Sequence, residues 1–201
     1  MTDVGGDTPT ATPVPLLNIA NILTMSRLVL VPVFLAALFT ADGHQTGWRL
    51  AAFAVFAVAS FTDHVDGNLA RKHGLITDFG KIADPIADKA LTGAALVGLS
   101  LLGELPWWVT VVIAVREVGV TLLRFWVIRH GVIPASRGGK AKTLVQILAI
   151  GLYVLPLPSL LAPVAVVLMG AAVVLTVVTG VDYVIRAVRL RARGRRAVAG
   201  A

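Results

Sequence analysis

Apolar residues occur along this chain in long blocks, and polar positions gather where those blocks end. The first block, residues 18–39, carries Asn21, Thr24 and Arg27 at a spacing of three and then turns wholly apolar. That pattern predicts a helix with a polar stripe at one end, bent or not at Pro32 as its neighbours allow. A second block begins near residue 48, passes residue 60 and continues into a charged stretch. Others follow at about 83–102, 107–130, 143–155 and 164–188. Between them, 41–47 reads as a turn, 103–106 as a tight turn and 131–142 as a basic, glycine-rich loop, while Pro156, Pro158 and Pro163 punctuate the last connection. Trp107 and Trp108 have the position of interfacial anchors. Residues 1–17 have neither apolar periodicity nor a basic n-region, and are expected to form a disordered tail, not a signal peptide.

Composition turns these blocks into membrane spans. Of 201 residues, 57% are hydrophobic, and the mean hydropathy is +0.84, well above soluble proteins, which are roughly half apolar. A helical span takes about 20 residues. The expectation is an all-α polytopic membrane protein, with six transmembrane helices over 18–188 and a basic tail over 189–201. No internal repeat is visible, and no length remains for a separate soluble domain. The absence of cysteine excludes disulfides and thiolate metal sites.

The formal charge of +7 suggests nucleic acid until its placement is read. Arg71, Lys72 and Lys81 follow the second block, Arg129, Arg137, Lys140 and Lys142 follow the fourth, and Arg186 to Arg196 follow the sixth. The other connections hold almost none. That alternation is the positive-inside signature of a multi-pass protein of the cytoplasmic membrane, with both termini on the cytoplasmic side and no nucleic-acid partner. The basic tail serves either as topology signal or as a contact for anionic headgroups of the membrane lipids.

The stretch 63–89, DHVDGNLARKHGLITDFGKIADPIADK, sets four carboxylates into this apolar frame. At ~100° per residue, Asp63, Asp66, Gly67, Ala70 and Arg71 share an arc of roughly 140° on one helix, and Asp84 and Asp88 lie one turn apart on the next. Crowded carboxylates near hydrocarbon repel one another, so protons or cations must sit among them. Intramembrane carboxylates serve as ion pathways, ion pairs or metal sites. Paired aspartates on adjacent helices favour hard divalent cations such as Mg²⁺ or Mn²⁺, with His64 and His73 read as non-ligands. Gly67 and Gly80 remove side chains where the two faces approach. With Ala70 and Arg71, they suggest a pocket for a phosphate-bearing group beside metal. A cation transporter is the alternative of another class. It would need polar residues along the other halves of the spans, which are almost purely apolar.

The pattern D-x2-D-G-x2-A-R-x8-G-x3-D-x3-D is complete here, and it resembles the signature of the CDP-alcohol phosphotransferases. The segments NIANILTMSRLVLVPVF, VREVGVTLLRFW and GGKAKTLVQ are similar to the branch of that family that makes phosphatidylglycerol phosphate, particularly its actinobacterial members, and the likeness covers nearly all of 18–183. His64 stands where relatives often have an aromatic or Arg. The resemblance implies a six-helix membrane enzyme, usually a homodimer, transferring the phosphatidyl group from CDP-diacylglycerol to glycerol 3-phosphate with release of CMP. It implies two divalent cations, Mg²⁺ or Mn²⁺, held by Asp63, Asp66, Asp84 and Asp88, with Asp88 also the base. It further implies contacts to the CDP-lipid from Asn21, Thr24, Arg27, Asp66, Gly67, Ala70, Arg71, Thr77 and Gly80. Arg116, Arg124, Lys140 and Lys142 are the expected receptors of the acceptor phosphate. Their alternatives are a pair between Arg116 and Glu117 or another acid, and a topology role for the two lysines. Relatives that accept inositol phosphate or phosphatidylglycerol share the core pattern, so the acceptor rests on the segments outside it.

Overall fold

The computed structural model describes the backbone of residues 19–73, 78–127 and 137–199, and side chains within 21–62, 86–87, 89–127 and 138–192. Six α-helices follow one another: α1 Ile19–Phe39, α2 Thr46–His73, α3 Asp78–Leu101, α4 Trp107–Val127, α5 Arg137–Val154 and α6 Ala162–Ala199. A short 3₁₀ turn, Thr40–Gly43, joins the first two, and no strand occurs among the described residues. The helices pack into one bundle.

α1 packs against α2 and α3, α2 and α3 against α5, and α6 against α4 and α5. At the centre, Phe34, Leu38, Phe56, Leu96, Leu99, Ile113, Ile150 and Val154 are buried together, and the Phe34 and Phe56 rings meet tilted at 5.8 Å between centroids. α1 and α3 lie close together at Gly98, where a Cβ would stand 2.7 Å from Leu38 Cδ2. The turn after α3 depends on Gly103 at φ +74°. Its amide donates to the Ser100 carbonyl, and the Glu104 amide to that of Leu99. This is a left-handed helix stop that glycine adopts without strain.

The polarity of the bundle is inverted. Val29, Val33, Phe61, Val115, Leu122, Val167 and Val178 face outward, whereas Arg27, Arg49, Thr110, Lys142, Gln146 and Thr176 are buried. Water as the surrounding solvent would favour the opposite arrangement, and hydrocarbon favours this one. By length and composition, two stretches among the described residues are long and apolar enough to cross a bilayer, Asn21–Gly43 and Ala162–Ala192, with shorter apolar helices at Thr46–Thr62 and Lys89–Leu101. The shortfall from six has a physical cause. α2 and α3 are each apolar in one half and charged in the other, α4 carries Arg116 and Glu117 mid-course and Arg124 in its last turn, and α5 begins with Arg137 and Lys140.

Two boundaries differ from expectation. The basic loop expected over 131–142 ends early, because α5 starts at Arg137, so Lys140 and Lys142 lie in its first turns. Packing of α5 on α6 outweighs the poor helix propensity of Gly138 and Gly139. α6 continues to Ala199, since RLRARGRRAVA consists mainly of strong helix formers.

The ends of α2 and α5 and the turn before α4 are joined by one buried cation. Arg49 Nη1 donates to Glu104 Oε1 at 2.9 Å and Nη2 to Oε2 at 2.7 Å, a bidentate pair, and Nη2 also reaches the Tyr153 carbonyl at 2.6 Å. This arginine lies at the end of the bundle away from the acidic stretch, where positive charge was not expected.

Candidate functional site

α2 carries positions 63, 66, 67, 70 and 71 in its second half, and α3 carries 80, 84 and 88 in its first half, on either side of residues 74–77. The eight pattern positions thus lie on consecutive helices flanking one connection. Thr77 lies outside the described residues, as do the side chains at Asp63, Asp66, Gly67, Ala70, Arg71, Gly80, Asp84 and Asp88. Among the described residues no other group of three or more His, Cys, Asp or Glu could hold a metal. By donor chemistry the four aspartates fit a hard divalent cation, being all oxygen and all carboxylate. α1 adds its polar stripe from the side. Asn21, Thr24 and Arg27 are all buried, Arg27 to 1% exposure, on a helix that packs against both motif-bearing helices.

A second polar centre is formed where α3, α4 and α5 meet. Glu117 receives hydrogen bonds from three cations: Lys89 Nζ donates to Oε2 at 3.1 Å, Arg116 Nη1 to Oε1 at 3.0 Å, and Lys142 Nζ to the same Oε1. The Lys89 ammonium also lies 3.4 Å from the Glu117 carbonyl. Arg116 is held from a fourth helix, its Nη2 donating to Thr179 Oγ1 at 3.1 Å. α6 comes close enough here that a Cβ on Gly180 would stand 3.1 Å from Arg116 Cγ. Lys89 is 35% and Glu117 23% exposed, against 4% for Lys142. The cluster is therefore open on the Lys89 side and closed behind Lys142.

Of the four cations expected to receive an acceptor phosphate, Arg116 and Lys142 are brought together, while Arg124 and Lys140 are exposed and have no polar partner among the described residues. The pair between Arg116 and Glu117 is real, but it is one spoke of a larger cluster. Sequence reasoning missed Lys89, Thr179 and the central place of Glu117. The available signal was that a lone acid in an apolar helix requires partners, and that Lys89 directly follows Asp88. On α5 and α6, Gln146 Oε1 and Thr176 Oγ1 are buried without a hydrogen-bond partner among the described residues.

Residues 17–178 match the CDP-alcohol phosphatidyltransferase family. The chain is 63% identical over 172 residues to a "Probable phosphatidylglycerophosphate synthase" of Mycobacterium tuberculosis, covering 86% of this chain and 82% of that one. It is 38% identical to the "CDP-diacylglycerol--glycerol-3-phosphate 3-phosphatidyltransferase" of Bacillus subtilis, over 83% of this chain and 93% of that one. It is also 38% identical over 132 residues to a "Cardiolipin synthase (CMP-forming)" of Streptomyces coelicolor, covering 63% of this chain and 60% of that one. With that coverage joined to a complete eight-position pattern on two consecutive helices, the chain belongs to the CDP-alcohol phosphatidyltransferase family of membrane phosphotransferases.

Proposed function

We propose that this chain transfers the phosphatidyl group of CDP-diacylglycerol to glycerol 3-phosphate, forming phosphatidylglycerol phosphate and releasing CMP. The observation that carries a phosphorylated acceptor is the gathering of Lys89, Arg116 and Lys142 from three helices around the partly exposed Glu117 carboxylate. A phosphorylated alcohol needs fixed cations, and in an apolar bundle such cations are expensive to keep without a purpose. The names of the M. tuberculosis and B. subtilis relatives support the same reading.

In this reading Asp63, Asp66, Asp84 and Asp88, on the consecutive helices α2 and α3, hold two divalent cations, Mg²⁺ or Mn²⁺. When bound, these would neutralise the pyrophosphate and stabilise the departing CMP oxygen. Asn21, Thr24, Arg27, Gly67, Ala70, Arg71, Thr77 and Gly80 receive the CDP-lipid, the small residues leaving room and the arginines meeting phosphate oxygens. Arg116 and Lys142 bind the acceptor's phosphate, with Arg124 and Lys140 drawing the anion in from the exposed rim. Asp88 accepts the proton of the attacking hydroxyl, and Lys89, its neighbour in sequence, ties that turn of α3 to the phosphate receptor. The chain crosses the cytoplasmic membrane six times with this site on the cytoplasmic side, and works as a homodimer. The positive-inside distribution and the outward apolar faces support the topology.

The S. coelicolor relative supports a second reading, with phosphatidylglycerol as acceptor. Purified protein supplied with CDP-diacylglycerol and, in parallel, glycerol 3-phosphate, inositol phosphate, free inositol, serine and phosphatidylglycerol decides between them. CMP release is expected with glycerol 3-phosphate alone. Release with phosphatidylglycerol but not glycerol 3-phosphate would establish the second reading instead.

A further inference from the structure

Resting on glycerol 3-phosphate as acceptor, we infer that Glu117 is a positioning residue that gathers Lys89, Arg116 and Lys142 into one receptor for the acceptor's phosphate. Three cations drawn to one point repel one another, and in a low-dielectric bundle that repulsion is strong unless an anion sits among them. Glu117 is that anion. One of its oxygens takes Arg116 and Lys142 and the other takes Lys89, so all three cations are held toward one point.

Stability alone does not explain the cluster, since buried ionic groups seldom stabilise more than apolar residues of the same volume. Two further ties hold the cations in place. Arg116 keeps its bond to Thr179 Oγ1, and Lys89 its contact with the Glu117 carbonyl, neither of which involves the carboxylate. Exposure of Lys89 and Glu117, with Lys142 closed off, gives the phosphate a route in from one side. Because Lys89 follows Asp88, a phosphate seated here lies on the same turn of α3 as the proposed base.

The test is Glu117→Gln, which keeps the shape and removes the charge. Two readouts separate positioning from general damage: KM for each substrate, and protection of the metal-stripped protein against thermal unfolding by inorganic phosphate. The variant is expected to raise KM for glycerol 3-phosphate about tenfold or more, to leave KM for CDP-diacylglycerol within about twofold, and to weaken phosphate protection by a similar factor. Unchanged phosphate protection, or equal losses for both substrates, would overturn the inference. Should Glu117→Gln not fold, Glu117→Asp keeps the charge but draws the carboxylate back by one methylene from Lys89, Arg116 and Lys142, and is expected to raise KM for glycerol 3-phosphate several-fold. An unchanged KM there would overturn the inference equally. If wild-type protein prefers another phosphorylated alcohol while phosphate protection still depends on Glu117, the acceptor assignment falls and the role of Glu117 stands.

Discussion

Replacing Glu104 by glutamine removes the charge facing Arg49 and leaves the guanidinium, only 5% exposed, with the Tyr153 carbonyl and one amide oxygen. Breaking a fully buried pair by removing one partner costs about 3–5 kcal/mol. Glu104 is 35% exposed at its side chain, so water recovers part of that, and a loss of roughly 2–3 kcal/mol is expected. For a chain of this size that corresponds to a fall in Tm of roughly 5–10 °C. Tryptophan fluorescence of the detergent-solubilised protein during heating reads it directly. The double variant Arg49→Met with Glu104→Met removes both charges and should recover most of the loss. Fourteen residues separate Arg49 from Asp63 along α2, about 21 Å of helix. Turnover at temperatures where the protein remains folded should therefore stay within about twofold. A Tm change under about 2 °C, or a double variant as unstable as the single one, would refute the clamp.

Other outcomes test different parts of the structure. Gly180→Ala places a methyl 3.1 Å from Arg116 Cγ, so KM for glycerol 3-phosphate should rise several-fold while stability changes little. Gly170→Ala, which meets nothing within 4 Å, should leave kinetics unchanged and serves as its control. Thr110→Val removes the 2.7 Å hydrogen bond between Thr110 and Ser100, buried between α3 and α4, and should cost about 1–2 kcal/mol in denaturant unfolding. Asp88→Asn should abolish CMP release and leave the melting transition in place, whereas near-normal turnover would remove Asp88 from the base role.

What was legible in the sequence is what short-range spacing encodes. The aspartates stand three and four residues apart, so their helical faces follow from periodicity alone, and the apolar blocks locate the helices for the same reason. The Arg49 clamp was not legible, because its partners lie 55 and 104 residues away and only the assembled bundle brings them together. Glu117 was visible only as a neighbour of Arg116, although its other two cations come from α3 and α5. Lys142 was read as a loop residue because Gly138 and Gly139 resemble a loop, but packing on α6 begins the helix there. The outward-facing valines and leucines carried the membrane reading correctly without any long-range information.

The central claim is that the aspartates of α2 and α3 together hold divalent metal where the nucleotide anhydride is cut. Mn²⁺ titrated into the metal-stripped protein and followed by electron paramagnetic resonance tests it most directly. Two bound ions with the line broadening of a close, spin-coupled pair are expected, lost when Asp63, Asp66, Asp84 and Asp88 are all replaced by asparagine. Wild-type protein that binds no more manganese than the fourfold variant would contradict it.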